Sequence, residues 1–163
     1  MRSLSQINRQ TLRQQVRGAT LIEILVALLI LSFGILGMAA LQARAIKGNH
    51  SAMQRTQAVV MSYYILDAMR VDRKEIKLNP ARYNTAKVCA AAGFNNATLQ
   101  DYNRKHWIES LKTTIGSPGD ASTCGAIACA VNAGVVDCTV KVFWDDSRAN
   151  GLGDQTVETN SSL

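Results

Sequence analysis

No acidic residue precedes Glu23, and no charged residue of either sign occurs from Ile24 to Leu41. The first absence leaves Arg2, Arg9, Arg13 and Arg17 unopposed in a polar leader. The second excludes an ordinary solvated helix and points to a lipid or helix-bundle environment. Proline is scarce: only Pro80 and Pro118 occur, so nothing of that kind interrupts a helix before residue 80. Cysteine is absent before Cys89, and no C-x-x-C pair exists. The two histidines, His50 and His106, stand far in sequence from the cysteines, so a zinc site has no support. A phosphate-binding loop, an HExxH-like pattern and a nucleophile–base arrangement are all missing, which argues against catalysis and for no cofactor.

The charge that is present is unevenly placed. The chain of 163 residues has 18 Lys and Arg against 12 Asp and Glu, a formal +6. Removing the four leader arginines leaves 14 against 12, or +2. The basic balance is thus mostly a property of residues 1–18 and gives weak grounds for nucleic-acid binding by the rest.

The eighteen residues Ile24 to Leu41 would span about 27 Å as a helix, and residues 19–23 extend that to a bilayer's width. Ahead of them the leader lacks the apolar stretch that a secretory signal carries before its cleavage site. The only suitable cut, Gly18–Ala19, lies in front of the hydrophobic segment and would leave it on the mature protein. Arginines on one flank hold that flank in the cytoplasm and place the C-terminal part outside. Glu23 is a lone carboxylate at the head of the apolar run, a costly position that calls for a partner.

Beyond Leu41 the pattern becomes two-faced. Ile46, Met53 and Val60 recur at seven-residue spacing, with Gln42, Arg44, Lys47, Gln54, Arg55 and Asp67 between them. One helix from about Ala19 to about Arg70 is expected, and Asn79-Pro80 ends any helix. His50 reads as a solvated or interfacial residue on it. Arg70, Arg73, Lys74, Lys77 and Arg82 alternate with Asp72 and Glu75, a mixed solvated face with a DNA or partner patch as the alternative. Residues 79–97 read as loop with a short helical piece around Arg82–Ala92 and a turn at Gly93, Asn95 and Asn96. Thr98 with Asp101 three residues on forms a capping pattern for a second helix whose apolar positions include Trp107, Leu111 and Ile115. Trp107 is expected in the core and His106 on the surface.

Gly116-Ser117-Pro118-Gly119-Asp120 breaks that helix. Strand-like alternation follows: Ala126–Val131 and Val135–Thr139 around an Asn132-Ala133-Gly134 turn, then Val140, Val142 and Trp144, and a last strand Gln155–Thr159. The fold class is therefore α+β, with a long N-terminal helix on a small antiparallel sheet of three or four strands. Its divisions are a leader 1–18, an apolar half 19–41, an amphipathic half 42–72 and a globular head 73–163. The polar loop 145–154 holds Asp145, Asp146 and Asp154 but lacks calcium-loop spacing, so no metal is assigned. Cys89, Cys124, Cys129 and Cys138 lie in the exported part and are disulfide candidates, with three complete connectivities open.

The run Gly18-Ala19-Thr20-Leu21-Ile22-Glu23, followed by Ile24-Leu25-Val26-Ala27-Leu28-Leu29-Ile30-Leu31, resembles the N-terminal signature of type IV pilins and pseudopilins. The resemblance implies a class III signal peptide cut by a prepilin peptidase after Gly18 and methylated on the new N-terminus, Ala19. Ala19 stands where the family usually has Phe. Glu23 falls at the family's fifth mature position, where the carboxylate is thought to face a neighbouring subunit's N-terminal amine during assembly. Further along, Ala68-Met69-Arg70, Asn79-Pro80 with Tyr83, Asp101 with Trp107 and Leu111, and Val140–Asp145 resemble PilV-type minor pilins. The family's frequent Leu-Pro-Gly after the second helix is here Ile115-Gly116-Ser117-Pro118-Gly119.

What the resemblance implies is a pilin-like structural subunit. It waits in the inner membrane with its head in the periplasm, joins other major and minor pilins through the N-terminal helix, and enters the priming or tip complex of a pilus. Twitching motility and adhesion would lie downstream. A type II secretion minor pseudopilin and a pilus-tip subunit for DNA uptake or for a surface ligand are the alternatives.

Overall fold

The computed structural model describes residues 18–147 and 153–163. Helix α1 spans Leu21–Val71, α2 Arg73–Leu78 and α3 Leu99–Thr114. Strands β1 (Thr85–Val88), β2 (Cys124–Asn132), β3 (Val135–Asp145) and β4 (Asp154–Ser162) form one antiparallel sheet in the order β1-β2-β3-β4. This is the α+β arrangement expected from the alternation of helical and strand periodicities. The chain divides into two units, one ending at Leu41 and one running from Gln42 to Leu163.

In the first unit the helix is regular and every described side chain is exposed. Helix α1 contains an 18-residue window of mean hydropathy 2.7, none of it buried. Its backbone polar groups are satisfied along the helix, and the Ser32 hydroxyl donates to the Leu28 carbonyl at 2.7 Å. Such internal satisfaction is what an apolar solvent demands of a spanning segment. Gly34 and Gly37 have nothing within 4 Å of where a Cβ would stand, so both leave open surface.

The second unit has its own core. The C-terminal half of α1 turns Gln54, Ala58, Ser62, Ile65, Leu66 and Met69 inward, at steps of three and four residues. They meet Ile76, Tyr83, Trp107, Ile108 and Leu111 together with the inner face of the sheet. On β3 that face is Val136, Cys138, Val140, Val142 and Trp144, every second residue. Trp107 is 0% exposed, as expected, and its indole N–H donates to the Met61 carbonyl at 2.9 Å. Strand β2 runs so close beneath it that a Cβ on Gly125 would stand 2.5 Å from the ring. Only glycine fits there.

Three local expectations change. The short helical piece around Arg82–Ala92 is instead strand β1 between two 3-10 turns, Pro80–Tyr83 and Ala91–Gly93. Pairing to β2 overrides the local propensity of the alanines. Asn84 assists by clasping the Cys129 backbone, donating to its carbonyl at 3.3 Å and accepting from its N–H at 2.6 Å. The hairpin turn is tighter than the three residues expected. Asn132 pairs with Val135, leaving a two-residue loop of Ala133 and Gly134 with φ of 51° and 82°. That double positive φ marks a type I′ turn, which matches strand twist. A separate short helix, α2, follows α1 before Asn79-Pro80 stops it.

Candidate assembly site

Thr20 lies just ahead of α1. Its carbonyl accepts from the N–H groups of Glu23 at 3.0 Å and Ile24 at 3.3 Å, and its hydroxyl accepts from Glu23 N–H at 3.4 Å. Thr20-Leu21-Ile22-Glu23 therefore has the spacing of a helix cap followed by a first-turn acid. A carboxylate there is favoured by the helix dipole by roughly 0.3–1 kcal/mol. Gly18 and Ala19 precede the cap in non-helical, exposed backbone, the form in which a peptide bond fits a protease cleft. The structure thus gathers Gly18, Ala19 and Glu23 at one exposed helix end. Glu23 has no ion-pair partner among the described residues. The capping role of Thr20 is not among the sequence expectations, although its position three residues before Glu23 is a readable signal. The four leader arginines lie outside the described residues.

The cysteines sit in the second unit. Cys89 pairs with Cys124, joining the end of β1 to the start of β2, and Cys129 pairs with Cys138 across directly opposed positions of β2 and β3. No cysteine is free among the described residues. For loops of 35 and 9 residues the chain-entropy contribution is about 4 and about 2.5 kcal/mol respectively. The longer bridge matters more to architecture, because β1 has only four residues and an irregular register.

Other candidates disperse. His50 is exposed, and exposed His106 sits with its ring 5.2 Å from that of Tyr102. Among the described residues no group of His, Cys, Asp or Glu is arranged to hold a metal. Of the acids beside the basic cluster, Asp67 pairs with Arg70 and Glu75 with Arg82. Asp72 instead accepts from Gln100 and from the Tyr83 hydroxyl, the latter at 3.4 Å. Burial pushes the Tyr83 phenol up to about 12, helped by the Asp72 charge and opposed by a hydrogen bond from Asn103. Arg73, Lys74 and Lys77 are left exposed without an ion pair among the described residues.

Compared with known proteins, residues 13–39 match the prokaryotic N-terminal methylation motif, a stretch that includes Gly18, Ala19 and Glu23. The chain therefore carries a type IV pilin-class N-terminal signal, on a pilin-like α+β architecture. No curated protein and no solved structure matches the chain.

Proposed function

We propose that this chain is a minor subunit of a type IV pilus, of the PilV type, and that it acts by assembly rather than catalysis. The observation that carries this reading is the helix end: an exposed Gly18–Ala19 peptide, a Thr20 cap and Glu23, followed by an apolar helix that no described residue covers. A prepilin peptidase removes residues 1–18 and methylates Ala19. The segment 19–41 then holds the protein in the inner membrane with the head, stapled by its two disulfides, in the periplasm. During assembly the apolar helix exchanges lipid for the helices of major and minor pilins. Glu23 takes the amine of a neighbour's N-terminus as its partner, because a carboxylate in an apolar bundle needs a cation. The protein then stands in the priming or tip complex and supports pilus biogenesis, with twitching motility and adhesion following from it.

The test is to produce the full chain with a prepilin peptidase and to read its N-terminus by mass spectrometry. The expected product begins at N-methylated Ala19 and is recovered in sheared pili. A chain that keeps residues 1–18 would sink the proposal. Correct processing, followed by recovery with a secretion pseudopilus and not with pili, would instead assign it as a type II pseudopilin.

A further inference from the structure

Within the second unit a cleft of about 580 Å³ opens between α1, the chain that follows α3 and the end of β3. Its volume lies in the range of small-molecule sites. Three carboxylates line it: Asp120, Asp145 and Asp146. Asp146 is 3% exposed, and it accepts from the Ser51 hydroxyl at 2.8 Å and the Gly153 N–H at 3.2 Å. Among the described residues it has no cation within ion-pair distance. A carboxylate that buried without a counter-charge is costly.

A second group in the same wall is short of a donor. Gln54 is 9% exposed, and its Nε2 donates to the Ile115 carbonyl at 3.1 Å. That bond fixes the amide, and among the described residues its Oε1 has no partner. Native proteins seldom leave such an acceptor unpaired. Asp120 is held rigidly as an anion. Burial opposes its charge, yet N–H groups of Ser117 at 2.7 Å and Thr123 at 2.6 Å, with Lys112 at 3.7 Å, keep it below the usual 3.8. Lys47 and His50 also line the cleft, but both are exposed, and neither forms an ion pair with Asp120 or Asp146 among the described residues.

The geometry points to this cleft as a binding site for an organic cation, an alkylammonium or guanidinium group. Such a group brings several N–H donors, which suits two carboxylates and an orphaned amide oxygen. Ile46 and Ile115 in the same wall suit an alkyl stem behind the charge. A metal ion fits less well: among the described residues no group of His, Cys, Asp or Glu is arranged to hold one, and the volume far exceeds an ion. The cation has two sources, a free polyamine or a basic side chain offered by another protein.

Calorimetric titration of the full chain in detergent micelles separates these cases. The probes are spermidine, Nα-acetyl-arginine amide and its uncharged isostere Nα-acetyl-citrulline amide. Saturable binding of spermidine alone assigns a polyamine, and binding of the arginine probe alone assigns a basic side chain. Binding of both upholds the wider cation class, and in every case the citrulline probe stays silent. Asp146→Asn should weaken binding at least tenfold. Should that variant fail to fold, Ser122→Arg places a tethered guanidinium on the cleft lining and should abolish binding. Equal binding of the citrulline probe, no saturation by either cation, or unchanged affinity in a folded Asp146→Asn or Ser122→Arg protein overturns the proposal.

Discussion

The two halves of α1 share one continuous backbone and differ in what covers their side chains. From Leu21 to Leu41 every residue is exposed, including Phe33 at 67% and Leu36 at 66%. From Gln42 onward one stripe disappears, with Ala58, Ile65, Leu66 and Met69 all at 0%. A long helix can therefore form the same way under two different rules. In the first half the whole circumference is apolar, so the partner must be lipid or other helices. In the second half the stripe is narrow, and the chain supplies its own partner through α3 and the sheet.

That contrast breaks first at Trp107. Its side chain fills the space between Gly125 and α1 and holds the Met61 carbonyl. Trp107→Ala should cost the head about 3–5 kcal/mol. Denaturant unfolding of the full chain in micelles, read by near-UV circular dichroism, should show that loss, while the processing proposed at Gly18–Ala19 is expected to continue unchanged. Impaired processing would mean the two halves are not independent.

A smaller effect belongs to Tyr83. Its phenol is raised from 10.0 to about 12 in the folded head. The protonated form is the one folding favours, so the stabilisation is complete below pH 10 and is lost as pH rises through 12. The shift corresponds to something on the order of 2–3 kcal/mol. Unfolding midpoints should fall across that window, and fall less steeply in Tyr83→Phe. The signature of α1's exposed half should not move with it.

These contrasts also mark what the sequence made legible. The uncharged run to Leu41, the helix cap Thr98 and the alternation through Val140, Val142 and Trp144 are local patterns, and each appears in the structure. The Thr98 hydroxyl accepts from Asp101 N–H at 3.1 Å, as its spacing predicts. Strand β1 was hidden because Thr85–Val88 acquires its character from β2, Asn84 and the Cys89–Cys124 bridge, all distant in sequence or tertiary in origin. The cysteine pairing was open for the same reason. At the helix end Gly18, Ala19 and Glu23 stand out by spacing as the expected cleavage and assembly residues, whereas the cleft around Gln54 and Asp146 joins positions about ninety residues apart and leaves no local pattern.

The contrast sharpens at the other end of α1. Thr20→Ala removes the cap and should cost that helix about 1 kcal/mol, seen as faster amide exchange over the first turn. Glu23→Ala alters the same turn by less than that. On the assembly reading, Glu23→Ala should nevertheless reduce incorporation into pili at least tenfold with membrane insertion intact, and Thr20→Ala should not. Equal incorporation of the two variants would reduce Glu23 to a capping-box acid.

The smallest effect is expected at the hairpin tip. Ala133 sits at φ 51°, where an L side chain is strained, next to Gly134 at 82°. Ala133→Gly relieves that strain, but glycine also gains freedom in the unfolded chain, which offsets part of the relief. A net stabilisation of about 0.5 kcal/mol should raise the head's Tm by roughly 2 °C. The register around the turn is held independently by the Cys129–Cys138 bridge two pairs further from the tip than Val131–Val136, so the change should leave the sheet intact. A fall in Tm would mean that Ala133 is held by contacts its backbone angle does not reveal. Because the hairpin belongs wholly to the second unit, the same variant should leave untouched the insertion and processing proposed for the apolar half.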